Sequence, residues 1–138
     1  MKTAVVYYSL GGSTRSFARA EAEARGADLI EIHPAKAYNP FTAFVRGCPA
    51  AIRQKGVPLS AAPDLSGYER IVLMAPVWAG FPAPPFNTMV NLLPSGKEVE
   101  VILVSASGSS EKSHDKVRAL IRSKGCKVVA QRDIRSHQ

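Results

Sequence analysis

The sequence contains little of what disulfide frameworks and metal sites need. Cys48 and Cys126 are the only cysteines among its 138 residues, they lie far apart, and neither belongs to a Cys-x-x-Cys pair. The three histidines, His33, His114 and His137, show no ligand spacing with each other or with the cysteines. We therefore expect two buried, reduced thiols and no metal site, with the histidines at the surface or at strand ends.

Long apolar stretches are also absent from the sequence. No run approaches the ~18–20 residues that cross a bilayer, and the N-terminal residues lack the longer apolar region and cleavage site of a secretory signal. A membrane span is therefore not predicted, and we expect the protein to be cytoplasmic.

Acidic residues are in the minority, 11 against 18 basic ones, which gives a net charge of +7. The densest basic group lies between Lys112 and Lys127, on a predicted helix and its exit, where a solvated helix face is the ordinary explanation. No basic run is interleaved with aromatics as in nucleic-acid-binding segments. We predict no nucleic-acid partner, whereas an anionic ligand or an acidic protein stays open.

Five strand patterns alternate with helical patterns along the chain. The predicted strands are Lys2–Ser9, Asp28–His33, Glu69–Ala75, Glu98–Val104 and Cys126–Ile134. The predicted helices are Ser13–Arg25, a segment near Phe41–Gln54 that Pro49 must start, kink or break, Phe86–Leu93, and about Glu111–Lys124. Such alternation predicts a single α/β domain over residues 1–138, with helices on both faces of a doubly wound parallel sheet.

A turn rich in glycine and hydroxyl groups follows the first predicted strand. Gly11 and Gly12 allow backbone angles that turn successive N–H groups inward, and the helix beginning near Ser13 adds its positive end. Ser9 and Thr14 add hydroxyls. Since the patterns G-x-x-x-x-G-K-[ST] and G-x-G-x-x-G are both absent, the predicted ligand is a terminal phosphate monoester. Taken alone, the loop is explained equally well by a Ser13 helix cap and a glycine turn.

Two further loops follow the third and fourth predicted strands. Trp78 and Phe81 flank Gly80 among four prolines, and we expect these aromatics to be exposed on a rigid loop that suits stacking on a flat ring. The later loop, residues 105–110, offers small residues whose N–H groups can face the polar edge of such a ring. Loops at the carboxyl ends of parallel strands commonly share one ligand site.

These motifs resemble the flavodoxin family, in particular its compact FMN-binding or quinone-reducing members. The family's phosphate-loop pattern, Ser/Thr-x-Thr-Gly-x-Thr, matches Ser9 to Thr14 except that Gly11 replaces a threonine. The family's second block, Pro-Val-Trp followed by Gly and spaced prolines, matches residues 76–85. The resemblance implies a flavodoxin-like five-stranded sheet of order 2-1-3-4-5 and an FMN cofactor.

The resemblance also implies which residues contact the FMN. Its phosphate would rest on the first loop, Ser9, Leu10, Gly11, Gly12, Ser13, Thr14 and Arg15. Its ring would lie against the second loop, Pro76, Val77, Trp78, Ala79 and Gly80, with its pyrimidine edge at Ser105, Ser107 and Gly108. No catalytic side chain is implied, since the flavin carries the redox chemistry.

The implied function is that of an FMN-dependent oxidoreductase or electron-transfer protein, with a nicotinamide or protein electron donor and a quinone-like acceptor. Classical electron-carrying flavodoxins are acidic and this chain is basic, which disfavours docking on their usual basic partners. The alternative is a flavodoxin-like binding or scaffold protein without stable flavin binding. An anion- or nucleic-acid-binding module that uses the basic helix is the weakest interpretation.

The family's last helix has no counterpart after the fifth predicted strand, where only residues 135–138 follow. In the family that helix covers the sheet face that the first helix also covers. Because the third and fourth predicted strands are apolar on both faces, we expect a second copy of the chain to cover them in a homodimer. A chain truncated before the helix is the competing explanation.

Overall fold

Five parallel strands form the central sheet in the computed structural model, which describes residues 1–136. These five are β1 (Thr3–Tyr7), β2 (Asp28–Glu31), β3 (Arg70–Trp78), β5 (Glu98–Ser105) and β6 (Lys127–Arg135). A sixth, two-residue strand is β4 (Phe81–Pro82). The order is β2-β1-β3-β5-β6, with the short β4 pairing antiparallel to β3. With β4 set aside, this is the flavodoxin-like order 2-1-3-4-5. The predicted fold class and strand order are confirmed.

Helices cover both faces of this sheet. They are α1 (Ser13–Arg25), α2 (Pro40–Thr42), α3 (Cys48–Ile52), α4 (Pro84–Asn91) and α5 (His114–Arg122). A π-helical stretch, Ala43–Gly47, joins α2 to α3, so the helix predicted near Phe41–Gln54 consists of three short pieces. The prolines explain this division, because Pro40 begins α2 and Pro49 lies in the first turn of α3.

The sheet separates two apolar layers. The larger layer packs alternate residues of β1, β3 and β5 against α3, α4 and α5, with Phe86, Met89 and Ile121 fully buried. The smaller layer packs the opposite residues of the same strands, among them Val72 and Met74, under α1. Period-two alternation along each strand produces these two layers.

The sheet face under α1 is closed within one chain. Val72, Met74, Ile102 and Val104 are at most 2% exposed. The expectation that a second copy must cover the apolar side chains of these strands is therefore wrong. The physical reason is that α1 itself covers them, with Ala18 and Ala22 packed on this face, and that charged side chains occupy the same sheet face beside the helix.

We call these side chains the charged row. It consists of Glu21 and Arg25 of α1, Arg70 of β3, Glu98 and Glu100 of β5, and Arg132 of β6. Glu100 is only 8% exposed, and its carboxylate accepts hydrogen bonds from Arg25 at 2.6 and 3.0 Å and from Arg70 at 3.4 Å. The Arg25 hydrogen bond is the main cause that lowers the pKa of the Glu100 carboxyl. The row thus joins α1 to three strands.

The cysteines and histidines lie apart from one another. Both cysteines are free thiols, but Cys126 alone is buried; the expectation that Cys48 is buried is wrong, because it lies in the first turn of α3 and stays partly exposed. His33 is exposed after β2, and His114 begins α5 with its Nε2 3.2 Å from Asp133 Oδ2. His137 lies outside the described residues. Within residues 1–136, no group of three or more His, Cys, Asp or Glu side chains has an arrangement that could hold a metal ion.

Most of the large exposed apolar side chains belong to the α2–α3 segment. Phe41, Phe44, Val45 and Ile52 are 46–76% exposed.

None of the helices in the part of the chain that the structure describes combines the length and the apolar character needed to cross a bilayer.

Candidate functional site

The three loops that the sequence analysis singled out follow neighbouring strands. β1 pairs with β3, and β3 pairs with β5, all in parallel, so their carboxyl ends meet at one edge of the sheet. The first loop leads from β1 into α1, the second is the turn between β3 and β4, and the third leads from β5 toward α5. The second and third loops also meet through a side chain, since a Cβ on Gly80 would lie 3.0 Å from Lys112 Cδ.

The amino-terminal end of α1 has no side-chain cap. Its N-cap residue is Gly12, with φ 99°, and the Gly12 N–H donates to Ser9 Oγ at 3.0 Å. The first helical hydrogen bond runs from Ser16 N to Gly12 O. The N–H groups of Ser13, Thr14 and Arg15 therefore precede the ladder and have no helical acceptor. Ser13 does not cap the helix, which removes the simpler explanation of this loop.

Thr14 is a buried polar residue at this helix end. The residue is 1% exposed, and its hydroxyl is not an orphaned buried group, since Gln131 Nε2 alone is a buried side-chain polar atom without a partner within residues 1–136. The hydroxyl lies at the helix end, where it can donate to a ligand oxygen.

Arg15 lies beside the loop but is held by β2. Its Nε and Nη2 contact the Glu31 carboxylate at 3.3 and 2.5 Å, and Tyr7 donates its hydroxyl to the same carboxylate at 2.8 Å. The Arg15 hydrogen bond lowers the pKa of Glu31, and burial, with the Glu31 contact, raises the pKa of Tyr7. The remaining Nη1 lies 3.9 Å from where a Cβ on Gly12 would be. The guanidinium is thus fixed with one nitrogen toward the loop.

The sequence analysis missed Tyr7 and Glu31 as the residues that position Arg15. The available signal was their place in the chain: both end strands, and the two residues are paired in the β1–β2 register. It also assigned Lys112 to a solvated helix face, although its aliphatic chain lies against the second loop.

The second loop is a tight β-hairpin. Trp78 pairs with Phe81, and the two residues between them, Ala79 and Gly80, have φ of 54° and 88°. Positive φ at both positions is typical of a type I′ turn, whose twist matches that of the flanking strands. The hairpin returns both aromatics to the core, where Trp78 is 9% and Phe81 2% exposed. The expectation that they are exposed is wrong.

Trp78 anchors this hairpin. Its ring meets Tyr8 and Tyr38 edge to face, with centroids 5.9 and 5.1 Å apart. Gly47 of the π-helical stretch lies against the indole, because a Cβ there would be 2.5 Å from Trp78 Cζ3. Burial raises the pKa of Tyr8 to about 12. The indole is packed in the core, and the turn that follows Trp78 in the sequence lies at the surface. Pro76 and Val77, which precede Trp78 in β3, are half-buried.

The third loop is shaped by its own serines. Ser105 Oγ accepts the Gly108 N–H at 3.0 Å, and Ser107 Oγ accepts the Ser109 N–H at 3.3 Å. Arg135, at the end of β6, donates to the Ser107 carbonyl oxygen at 3.3 Å. Because these hydroxyls accept bonds inside the loop, they hold its shape.

Taken together, these loops offer hydrogen-bond donors and positive charge. The donors are three N–H groups and a threonine hydroxyl at α1, and the cations are Arg15 and Lys112. Such a set binds an anion, and a phosphate at a helix amino terminus is the usual occupant.

Known structures with this architecture include flavoproteins. A protein of Bacteroides eggerthii assigned as a flavoprotein has a TM-score of 0.82 at 20% identity, covering 99% of this chain and 89% of that chain. A flavoprotein of Lactobacillus acidophilus in complex with FMN has a TM-score of 0.76 at 22% identity, covering 96% and 92%. An NADH:FMN oxidoreductase in its apo form has a TM-score of 0.61 at 17% identity, covering 100% and 78%.

At these identities the likeness shows the fold, which is flavodoxin-like, as the sequence motifs indicated. No protein-family model and no curated protein matches the sequence of the chain.

Proposed function

We propose that this chain binds FMN and acts as an FMN-dependent oxidoreductase or electron-transfer protein. One observation carries the proposal: the uncapped end of α1 places three N–H groups without helical acceptors next to the hydroxyl of Thr14. The flavodoxin-like fold supports it, and so does the FMN held by the similar Lactobacillus acidophilus protein.

The first loop would hold the phosphate. The N–H groups of residues 13–15 and the Thr14 hydroxyl donate to its oxygens. Ser9 contributes as well, because its oxygen accepts the Gly12 N–H and its own proton stays available to donate. The α1 dipole and the fixed Arg15 guanidinium favour the negative charge.

The second and third loops would border the flavin ring. The turn formed by Ala79 and Gly80 offers exposed backbone, and Trp78 keeps that turn in place from below. Residues 106 and 107 offer N–H groups for the polar edge of the ring, since the Gly108 N–H already donates to Ser105 Oγ. Bound FMN supplies one- and two-electron redox chemistry, and the protein holds its phosphate, orients the ring and limits access to it.

The electron partners follow from the resemblance and the fold. A nicotinamide donor is supported by the similar NADH:FMN oxidoreductase, whereas a protein donor and a quinone-like acceptor rest on the sequence resemblance. The cytoplasmic location and the single-domain organisation are part of the same proposal.

A specific observation favours the second candidate, a flavodoxin-like binding protein without stable flavin. No atom of residues 1–136 lies within 4 Å of the position that a Gly11 Cβ would take, so the place of the family's threonine is open there and contributes no hydroxyl. If FMN affinity is weak for this reason, the protein would use the same fold to bind a different ligand.

Substituting Thr14 with valine tests the phosphate site. The two side chains have similar shapes, so the variant removes the hydroxyl alone. We expect about tenfold weaker FMN binding, the loss of one hydrogen bond to a charged group. We also expect the flavin-free protein to keep its stability, because valine preserves the packed shape of the side chain. Quenching of flavin fluorescence during FMN titration and urea unfolding measure the two effects.

Thr3→Val is the matched control for this experiment. Thr3 begins β1 at the opposite end of the strand, and its substitution should leave FMN affinity unchanged. Absence of saturable quenching in the unmodified protein would contradict the proposed function and favour the flavin-free candidate. Equal affinities of the two variants would place the phosphate elsewhere.

The homodimer stays a prediction. Because the face beside α1 is closed within one chain, a dimer would have to form through another surface. A light-scattering mass of two chains at micromolar concentration is the expected result, and a mass of one chain would contradict it.

A further inference from the structure

A cavity of about 200 Å³ lies outside the three loops, between the chain that follows β2 and the segment before β3. Its apolar walls include Pro34, Ala37, Val57 and Pro58. The two sides are joined by backbone, since the Ala35 N–H donates to Pro58 O at 2.9 Å. Val57 is in turn fixed to Thr88 of α4 by hydrogen bonds of 2.7 and 2.8 Å. The cavity is therefore preformed.

Aromatic and hydroxyl groups complete the lining. Tyr38 and Thr42 both border the cavity. Tyr38 also contacts Trp78, with ring centroids 5.1 Å apart, so the cavity adjoins the anchor of the second loop. A planar apolar molecule in this position would meet a ring face or edge and a hydroxyl that can orient it.

The charge of the cavity has one sign. Lys36 and Arg46 line it, and no aspartate or glutamate does. Neither cation takes part in an ion pair within residues 1–136. The local potential is therefore positive and favours an anion.

We propose that this cavity binds a flat aromatic molecule that carries one anionic group, such as a carboxylate. Its volume suits one or two fused rings, since a dry cavity of about 150 Å³ accepts benzene. The ring lies between the apolar walls and Tyr38, and the anionic group pairs with Arg46. The binding goes beyond the proposed function and does not require FMN.

The probe for this proposal is 2-naphthoate, added to the full chain without flavin. Trp78 is the sole tryptophan, so its indole N–H gives a single signal in a ¹⁵N-correlated NMR spectrum. We expect saturable shifts of this signal during the titration. Arg46→Gln should weaken binding about tenfold, while Arg53→Gln, the control at the end of α3, should leave it unchanged.

Filling the cavity gives an independent test. Ala37 is exposed to solvent and lines the cavity, so Ala37→Phe can occupy the space without disturbing the core. We expect 2-naphthoate binding to be lost, with the thermal unfolding transition retained. FMN titration of this same variant separates the two proposals, because flavin binding should persist.

Four results would overturn the inference. They are no shift at millimolar 2-naphthoate, equal binding of the uncharged 2-naphthylmethanol, equal weakening by the two arginine substitutions, and displacement of 2-naphthoate by FMN. The last result would assign the cavity to the flavin site itself.

Discussion

Replacing Glu100 with alanine is expected to lower the free energy of unfolding by about 2–3 kcal/mol, because Arg25 and Arg70 each lose their most buried carboxylate partner. Among residues 1–136, the two arginines then keep only Glu21 and Glu98 as partners. Glu100 is 8% exposed, whereas Arg25 and Arg70 keep 26% and 31% of their side-chain exposure, which moderates the loss. Urea unfolding measures the change.

Glu98→Ala is the matched control on the same strand and face. Its side chain is 36% exposed and pairs with Arg70 alone, so the expected loss is below about 1 kcal/mol. Equal losses of unfolding free energy in the two variants would show that burying the Glu100 carboxylate with Arg25 and Arg70 adds no stability beyond an exposed ion pair.

Lowering the pH should reveal a further difference in unfolding free energy between the original chain and the Glu100 variant. The Arg25 contact lowers the pKa of Glu100, and the Arg15 contact lowers that of Glu31. Each carboxyl therefore stabilises the fold fully above its unfolded pKa of about 4.3 and ceases to do so as pH falls through its lower folded value. We expect unfolding free energy to decrease below about pH 4 in the original chain and to decrease less in the Glu100 variant.

Replacing Gly47 with alanine is expected to lower the free energy of unfolding by about 1–3 kcal/mol. Its φ of −71° suits any residue, and alanine favours helix by about 1 kcal/mol over glycine. The added Cβ, however, would lie 2.5 and 2.7 Å from two carbons of the Trp78 ring. The indole must move, so its fluorescence maximum should shift, and weaker FMN binding should follow from displacement of the second loop.

Gly67→Ala is the control for this substitution. Nothing lies within 4 Å of the position that its Cβ would take, so its stability and its Trp78 emission should be unchanged. Indistinguishable unfolding curves for the two variants would mean that Trp78 tolerates the methyl group, and the packing argument would fail.

The fold could be predicted where short stretches of sequence determine it. α1 runs from Ser13 to Arg25 and ends at Gly26, whose φ of 63° is the glycine conformation that closes a helix. The two-residue β4 was not predicted, because Phe81 and Pro82 become a strand only by pairing with the end of β3.

The position of Trp78 could not be predicted from its own loop. Spaced prolines and a glycine indicated a rigid surface loop, and the turn is at the surface. The indole is nevertheless buried because Gly47, distant in sequence, leaves room for it. The alternation in Glu98–Val104 did carry a usable signal, since two glutamates at alternate positions mark the face that α1 covers. Which arginines meet them depends on tertiary packing.

Within the candidate site, the glycine turn before α1 was predictable from residue types, while the engagement of Arg15 was not. Its partner Glu31 ends a neighbouring strand, and only the β1–β2 register brings the two together. The cavity beside Tyr38 gave no sequence signal, because its walls come from two segments that meet only in the folded chain.

The thirteen-residue helix α1 is about 20 Å long and is engaged at both ends. Its first turn carries the donors proposed for phosphate, and its last two turns carry Glu21 and Arg25. Under the proposed function, we therefore expect occupancy of the phosphate end and ionisation of the far end to be linked through a stiff connector. Protonating the acidic partners of the far end should weaken the grip on the cofactor, and a bound cofactor should resist that loosening.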